Sequence, residues 1–546
     1  MSNFYLLSSL EKVLPRKYEV VKEHTEQTAL LGERVSFQIT YKSEKEWTKR
    51  TYNVSVSSPL GKYITLRDVK NVPAEFPAYY DKHDDDYITL DATIMPDILM
   101  PNTTDTIETV YEEWRTLWVT VEPDEGLAAG VYPVKIVFEG DDGRFEKVFT
   151  IKYINARLPE QKLKFTQWFH GDCIATYYGI EMFSEEHWKR LEDFIKTAVH
   201  GGINTILTPV VTPPLDTAVG GERPTIQLVD MTFKGGKWGF KFDKLDRFID
   251  ICLKYGVKHF EIAHLFTQWG AYYTPKVVAE TEEGLKRIFG WDVASDSKEY
   301  ADYIDAFLPA LISHFKSRKI DDMLIFHVSD EPTDAHLESY SKCKALVSKH
   351  LEGYRVTDAL TQYSFYENGL VEHPVVGIDH IMPFIEKKVP DLWAYYCCAQ
   401  SNDYLSNRFI AQPSYRNRII ATQLFKYDIT GFLQWGYNFY YSQFSTHPID
   451  PYRETGADMA FPSGDSFSVY PTKDGVAESL RFVVFYEALQ DLSAFELLAS
   501  LTTKDETVKL IEETAGMTID FSNYPKSADY ILELRRKVNE EIEKRI

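Results

Sequence analysis

Positive charge is in short supply in this chain of 546 residues: Lys and Arg number 60 against 82 Asp and Glu, a formal charge of −22. A phosphate backbone or an anionic bilayer repels such a surface, so neither nucleic acid nor membrane is expected as a partner. Cysteine is scarcer still, with Cys173, Cys252, Cys343, Cys397 and Cys398 the full set. An odd number without CxxC spacing argues against a disulfide framework or a zinc site, and for free thiols in a reducing compartment. No apolar run approaches the roughly 20 residues that span a bilayer. Residues 1–10 carry neither the basic region nor the apolar stretch of a secretion signal. A soluble, cytoplasmic protein is the expectation. HExxH, the P-loop pattern and GxGxxG after a strand are all missing, so no metal or other cofactor is implied.

Aromatic residues, by contrast, are plentiful at 14%, with 10 Trp, 35 Tyr and 33 Phe. Aromatic faces serve equally as core filling and as platforms on which the C–H faces of sugar rings pack. Their placement along the chain has to decide between the two.

Residues 1–158 read as an antiparallel β-sandwich. Val35, Phe37, Ile39 and Tyr41 alternate with Ser36, Gln38 and Thr40, and Tyr52, Val54 and Val56 with Asn53 and Ser55, the period of strands buried on one face. Asp141-Asp142-Gly143 marks a hairpin between two later strands. From about Pro159 short apolar runs alternate with helical segments, the pattern of βα units around a parallel sheet. The strand candidates are Leu163–Trp168, Thr205–Pro209, His259–Ala263, Met323–Ser329, Arg355–Ala359, Gly377–Ile381, Leu392–Tyr396 and Gly431–Trp435. Between them lie helices predicted from Ser184 to Gly201, over Phe242–Tyr255, Lys298–Arg318, Asp334–Leu351 and Gln412–Lys426. The fold class is therefore α/β: a (β/α)8 TIM-like barrel over 159–499, with insertions after strands two, three and eight. Asp505–Thr514 and Ala528–Ile546 form a C-terminal helical cap within 500–546.

In such a barrel the reacting groups gather at the C-terminal ends of the strands, which turns the strand list into a site list. Strand one ends in Trp168-Phe169-His170-Gly171-Asp172, and strand three in His264 with Gln268 and Trp269 close by. Strand five leads to Tyr363, strand six carries Asp379, strand seven Tyr395, and strand eight ends in Trp435-Gly436-Tyr437-Asn438. His170, Asp172, His264, Trp269, Tyr363, Tyr395, Trp435, Tyr437 and Asn438 are the candidate substrate contacts. His264 reads equally as a core histidine, Tyr395 and Trp435 as core packing, Asn438 as a turn residue, and Cys397 and Cys398 as core.

The sharpest feature is Asp330-Glu331, between the apolar run Met323–Phe326 and Pro332. Neighbours in a regular strand face opposite ways, so both serve one pocket only if the strand twists or ends there. Carboxylates adjacent in sequence do not easily straddle a sugar ring, as the usual pair about 5–5.5 Å apart does in retaining glycosidases. They suit substrate-assisted hydrolysis, in which the 2-acetamido carbonyl is the nucleophile. Asp330 would orient the amide N–H, and Glu331 would act as general acid and then general base. Two close carboxylates also push their pKa values apart, which keeps one protonated.

At these residues the sequence resembles glycoside hydrolase family 123, the β-N-acetylgalactosaminidases, and their uncharacterised relatives. Ser329-Asp330-Glu331-Pro332 is similar to that family's catalytic Asp-Glu, and Leu392-Trp393-Ala394-Tyr395-Tyr396-Cys397 to its seventh strand. Asn407, Phe409, Ile410 and Pro413 fit the following loop. Lys426-Tyr427, Gly431-Phe432-Leu433-Gln434-Trp435 and Asn438 resemble its eighth strand and surroundings, and Gly464-Asp465 with Tyr470-Pro471 a downstream loop. Ser479, Arg481 and Asp491 fit the last barrel helix. Ala411 stands where Asp is expected, Ser466 and Thr472 where Gly is expected, and Gln434 replaces an aromatic. The resemblance implies a retaining, exo-acting, metal-independent enzyme that removes a β-linked N-acetylhexosamine from an oligosaccharide or glycoside. Two other readings stand beside it. One is a glycosidase for a sugar without the acetamido group, using a further carboxylate such as Asp172 or Asp379. The other is a non-catalytic sugar-binding barrel.

Overall fold

A computed structural model of the chain describes residues 2–44 and 49–546. Eight parallel strands close into a barrel: β1 Lys164–Gln167, β2 Thr205–Thr208, β3 His259–Ile262, β4 Leu324–Phe326, β5 Arg355–Leu360, β6 His373–Gly377, β7 Trp393–Tyr395 and β8 Gly431–Gln434. β1 and β8 close the ring, paired from Lys164↔Gly431 to Gln167↔Gln434. Most of their residues are buried, as befits a parallel sheet covered on both faces.

Two strands differ from the sequence reading. β4 stops at Phe326, three residues short of Ser329, and Met323 belongs to the turn Asp321–Met323 that precedes it. β6 lies four residues earlier than the expected Gly377–Ile381 and contains Pro374, which sits opposite Asp358 of β5. Proline has no N–H to give a ladder, so in sequence it argues against an interior strand.

The helices around the barrel follow their local signals. Ser184 caps Glu185–His200 by accepting the His187 N–H, and Trp188, Leu191, Phe194, Ile195 and Ala198 form its buried stripe. The expected Asp334–Leu351 helix starts as a tight turn, Asp334–His336, before Leu337–Ser348. The expected Gln412–Lys426 helix is two short ones, Ser414–Arg418 and Ile420–Lys426. The insertions after β2 and β3 form a four-stranded sheet beside the barrel, from Asp230–Lys234, Lys237–Lys241, Val277–Thr281 and Gly284–Phe289.

The N-terminal region is a sandwich of a seven-stranded and a five-stranded sheet. Phe37 of one stacks on Phe149 of the other with ring centroids 4.0 Å apart. Gly140↔Gly143 closes the expected hairpin around Asp141-Asp142. The two strands at one edge of the larger sheet do not come from this region. Val469–Thr472 and Gly475–Ser479, from the segment after β8, pair onto Thr93–Pro101 through Glu478↔Leu99 and Ser479↔Ile98. A buried ion pair locks the junction: Arg481 grips both oxygens of Asp97 at 2.9 Å, and the Tyr470 hydroxyl donates to Asp97 Oδ2 at 2.6 Å. Helices Lys504–Ala515 and Ala528–Glu543 pack against Leu480–Leu501 at the end of the chain. Among the described residues no helix is long and apolar enough to cross a membrane.

Candidate active site

The early end of β4 resolves how neighbouring carboxylates share a pocket. The chain leaves the sheet at His327, and Glu331 takes a left-handed backbone, φ +45°. For a non-glycine residue this costs on the order of 1–3 kcal/mol, and such strain persists only where surrounding contacts over-determine it. Here they do. The Val328 N–H donates to Asp358 Oδ1 at 2.9 Å and the Ser329 hydroxyl to the Thr267 carbonyl at 2.8 Å. The Asp330 carbonyl accepts the Trp269 N–H at 3.0 Å, and the Glu331 N–H donates to the Ala359 carbonyl at 3.1 Å. The turn brings both side chains onto one cavity.

That cavity, about 230 Å³, opens at the C-terminal end of the barrel. Trp168, Ala359, Tyr395, Leu433 and Trp435 give it an apolar wall, and Asp216, Gln268, Trp269, Gln443 and Phe461 line it from the loops. The Tyr395 hydroxyl donates to Glu331 Oε1 at 2.7 Å, and Trp435 Nε1 donates to Asp465 Oδ2 at 2.9 Å. Burial, and then the neighbouring Glu331 charge, raise the Asp330 carboxyl well above the usual carboxylate range, while the His327 imidazolium opposes the shift. Burial also raises Glu331, against the Tyr395 hydrogen bond, with Asp379 adding to the rise. The pair thus holds a proton at a pH where isolated carboxylates have lost theirs.

Beneath the pair lies a buried polar network. His327 has no exposed surface; its Nε2 meets Glu261 Oε1 at 2.6 Å and its Nδ1 meets Asp358 Oδ1 at 3.3 Å. Hydrogen bonds to the two carboxylates outweigh burial and push its pKa up to about 10, so it is an imidazolium. Glu261 is further held by Thr166 Oγ1 at 2.7 Å and Trp168 Nε1 at 2.9 Å, and Asp358 by the Tyr340 hydroxyl. His264 stacks on His327 with centroids 4.3 Å apart, and burial followed by the His327 charge keeps it neutral. His264, His327 and Asp358 offer ligand atoms within 4.8 Å of one another. Both His327 nitrogens are already committed to carboxylates, so a metal ion would have to displace one of them; a charged hydrogen-bond network fits the donor set better.

The model of the glycoside hydrolase 123 catalytic domain matches residues 168–498. The chain belongs to glycoside hydrolase family 123. Its fold is similar over 100% of its length, and over 98% of the other chain, to a family 123 glycoside hydrolase from Clostridium perfringens whose structure addresses glycolipid glycan hydrolysis, with 14% identity and a TM-score of 0.73. Lesser similarity links it to a β-glucuronidase from Parabacteroides merdae, with 11% identity over 84% of this chain and 50% of that one and a TM-score of 0.29. An endo-β-1,4-mannanase from Thermotoga petrophila has 9% identity over 61% of this chain and 77% of that one, with a TM-score of 0.36. No curated protein matches the chain.

In this family 123 barrel, Asp330, Glu331, Trp269, Tyr395 and Trp435 of the expected site residues meet at the cavity. The others lie elsewhere. His170 and Asp172 are buried: Arg223 makes a two-pronged ion pair to Asp172 at 2.7 and 2.8 Å and reaches His170 Nδ1 at 3.3 Å, while His170 Nε2 contacts the Trp435 carbonyl at 3.0 Å. They tie the ends of β1 and β8 to the loop after β2. His264 sits under the cavity in the network just described. Tyr363 packs on Tyr366 and Phe384 away from it. Tyr437 is core, its hydroxyl bonded to the Phe194 carbonyl at 2.9 Å. Asn438 is a clamp, accepting the His170 N–H at 2.9 Å and donating to the His170 carbonyl at 3.0 Å. Cys397 and Cys398, read as core, line the cavity instead. Asp216, Glu261, His327 and Asp358 were not foreseen; the three barrel groups sit on strands or just past them and meet only because the barrel closes.

Proposed function

We propose that this family 123 glycoside hydrolase removes a terminal β-linked N-acetylhexosamine, N-acetylgalactosamine foremost, with retention and by substrate-assisted catalysis. The observation that carries this reading is the left-handed turn at Glu331, which sets two adjacent carboxylates with raised pKa values on the same cavity. In this mechanism the amide N–H of the bound sugar, donating to Asp330, favours that group's ionised form and leaves the proton of the pair on Glu331, which gives it to the glycosidic oxygen while the acetamido carbonyl oxygen attacks C1 and expels the leaving group. Asp330 accepts a hydrogen bond from the amide N–H and balances the charge of the oxazolinium that forms. Glu331, now ionised, takes a proton from water as the water attacks C1 and reopens the ring to the β-anomer. General acid–base help of this kind contributes about 10²–10⁴-fold. The apolar wall of Trp168, Leu433 and Trp435 suits the acetamido methyl group and the sugar face. The cavity volume suits one ring at a time, in keeping with exo action on a glycan or glycolipid. Every residue lining the cavity falls within 159–499, which supports assigning catalysis to the barrel and support to the sandwich (1–158) and the terminal helices (500–546).

For the alternative on a sugar without an acetamido group, neither suggested carboxylate lines the cavity. Asp172 is consumed by Arg223, and Asp379 holds Gln400 Nε2 at 2.8 Å and His380 Nδ1 at 2.9 Å. A panel of nitrophenyl glycosides, with the first product anomer followed by NMR, tests the proposal. Hydrolysis of a β-N-acetylhexosaminide to the β-anomer, and inhibition by a thiazoline mimic of the oxazolinium, are expected. An α first product, or activity confined to sugars lacking the acetamido group, overturns it.

A further inference from the structure

A third carboxylate lines the cavity with no work assigned to it. Asp216 lies on the loop after β2, on a left-handed backbone with φ +38°. Three hydrogen bonds fix it there. Its N–H donates to Gln268 Oε1 at 2.7 Å, its carbonyl accepts the Ser445 hydroxyl at 2.7 Å, and its Oδ2 accepts the Phe444 N–H at 3.1 Å. Phe444 and Ser445 are themselves left-handed, at φ +59° and +53°. Strained residues therefore meet from two loops, and what they hold is one carboxylate. Among the described residues its second oxygen, Oδ1, has no hydrogen-bond partner and no Lys, Arg or His lines the cavity. Arg223 lies near enough to draw the carboxyl down electrostatically but makes no ion pair with it; burial dominates and lifts Asp216 to about 6. It is also close enough to Asp330 to add to that residue's upward shift.

A structural ion-pair partner would be a cation, and none is there. A carboxylate held rigid with an acceptor oxygen left free is built to take a hydrogen-bond donor. The donors a sugar carries are its ring hydroxyls. We infer that Asp216 is a substrate-contacting, specificity-determining residue, accepting a hydrogen bond from a hydroxyl of the ring whose anomeric carbon faces Asp330 and Glu331. The inference deepens the reading above and rests on its assignment of that cavity as the sugar site.

The test pairs variants with deoxygenated substrates. Aryl β-N-acetylhexosaminides lacking in turn the 3-, 4- or 6-hydroxyl are compared on the wild type, Asp216→Asn and Asp216→Ala. A hydrogen bond to a charged group contributes about 1.5–3 kcal/mol, or about 10–100-fold in kcat/KM. One deoxy substrate should therefore lose about 10–100-fold on the wild type and less than threefold on Asp216→Ala, because the partner is already gone. Asp216→Asn keeps an acceptor for the Phe444 N–H and should fold as the wild type does, so its loss reports on substrate rather than on loop structure. If every deoxy substrate loses the same factor on Asp216→Ala as on the wild type, Asp216 contacts no hydroxyl and the inference falls. If the wild type is inactive on the parent N-acetylhexosaminide but active on another glycoside of the panel, the sugar assignment has failed instead, and the same cycle run on deoxy forms of that glycoside still decides the role of Asp216.

Discussion

The Tyr395 hydroxyl, on β7, donates to Glu331 Oε1 at 2.7 Å. That bond stabilises the ionised carboxylate and opposes the upward pull of burial. Removing it in Tyr395→Phe leaves burial less opposed, so the Glu331 pKa rises further. The protonated acid then survives to higher pH, and the alkaline limb of the kcat/KM profile should move upward. An unmoved alkaline limb would mean that Glu331 is not the group that sets it.

Glu331 and Asp330 should differ in their sensitivity to the leaving group. Loss of a general acid matters most when the departing oxygen is basic. Glu331→Gln should therefore lose much more rate on a disaccharide than on a nitrophenyl glycoside, within the roughly 10²–10⁴-fold that such catalysis supplies. Asp330→Asn should lose about 10²–10³-fold on both, as expected for one electrostatic contact to developing charge. Leaving-group sensitivity in the Asp330 variant alone reverses the roles.

His327 anchors two buried carboxylates, and His327→Gln leaves Glu261 and Asp358 without their shared cation. Breaking a buried pair costs about 3–5 kcal/mol, so Tm should fall by several degrees. The pH dependence has a definite sign. With its folded pKa raised to about 10 from an ordinary 6.5, His327 contributes stability that is fully present below about 6.5 and lost as pH rises through 10. Wild-type Tm should therefore fall more steeply than that of the variant between pH 7 and 10. Parallel curves in calorimetry would remove the imidazolium from the account.

Gly431 in β8 faces the Trp393 ring so closely that an added Cβ would lie 2.2 Å from it. Trp393 is wholly buried in the neighbouring β7 and has no free direction in which to yield. Gly431→Ala should cost at least the 1–3 kcal/mol of ordinary overpacking, about, measured as a lower midpoint in denaturant. A midpoint within error of the wild type would show that β7 and β8 can part without penalty.

The barrel was legible in sequence where a strand is a short apolar run between loops, as at Phe165, Ile206 or Phe432. It differs where chemistry obscures the run: Pro374 speaks against an interior strand at β6, and the expected fourth strand runs to Ser329 where β4 ends with the apolar run at Phe326. The Asp330-Glu331 pair stood out because its members are adjacent, and the Glu331 turn was signalled by Pro332. The supporting network left no such trace. Glu261 and Asp358 lie 66 and 31 residues from His327, and only closure of the barrel joins them. His170 and Asp172 followed the strand-end rule, but Arg223, 51 residues beyond Asp172, had claimed them. Asp216, in the Pro-rich Thr212–Thr217 stretch, carried no periodic signal at all.

The hairpin at 469–479 has a consequence for how the molecule is made. On the ribosome the sandwich emerges first, with Thr93–Pro101 at the rim of an incomplete sheet and Asp97 awaiting a cation that is still untranslated. At about 5–20 residues per second, the Arg481 that neutralises it follows tens of seconds later. For that interval the nascent chain displays an unpaired strand edge, the kind of surface on which other chains add. Expression of the first 158 residues alone is a poor way to obtain this sandwich. Its last two strands are encoded beyond the eighth barrel strand, and the N-terminal sandwich reaches its final form only when most of the chain has been made.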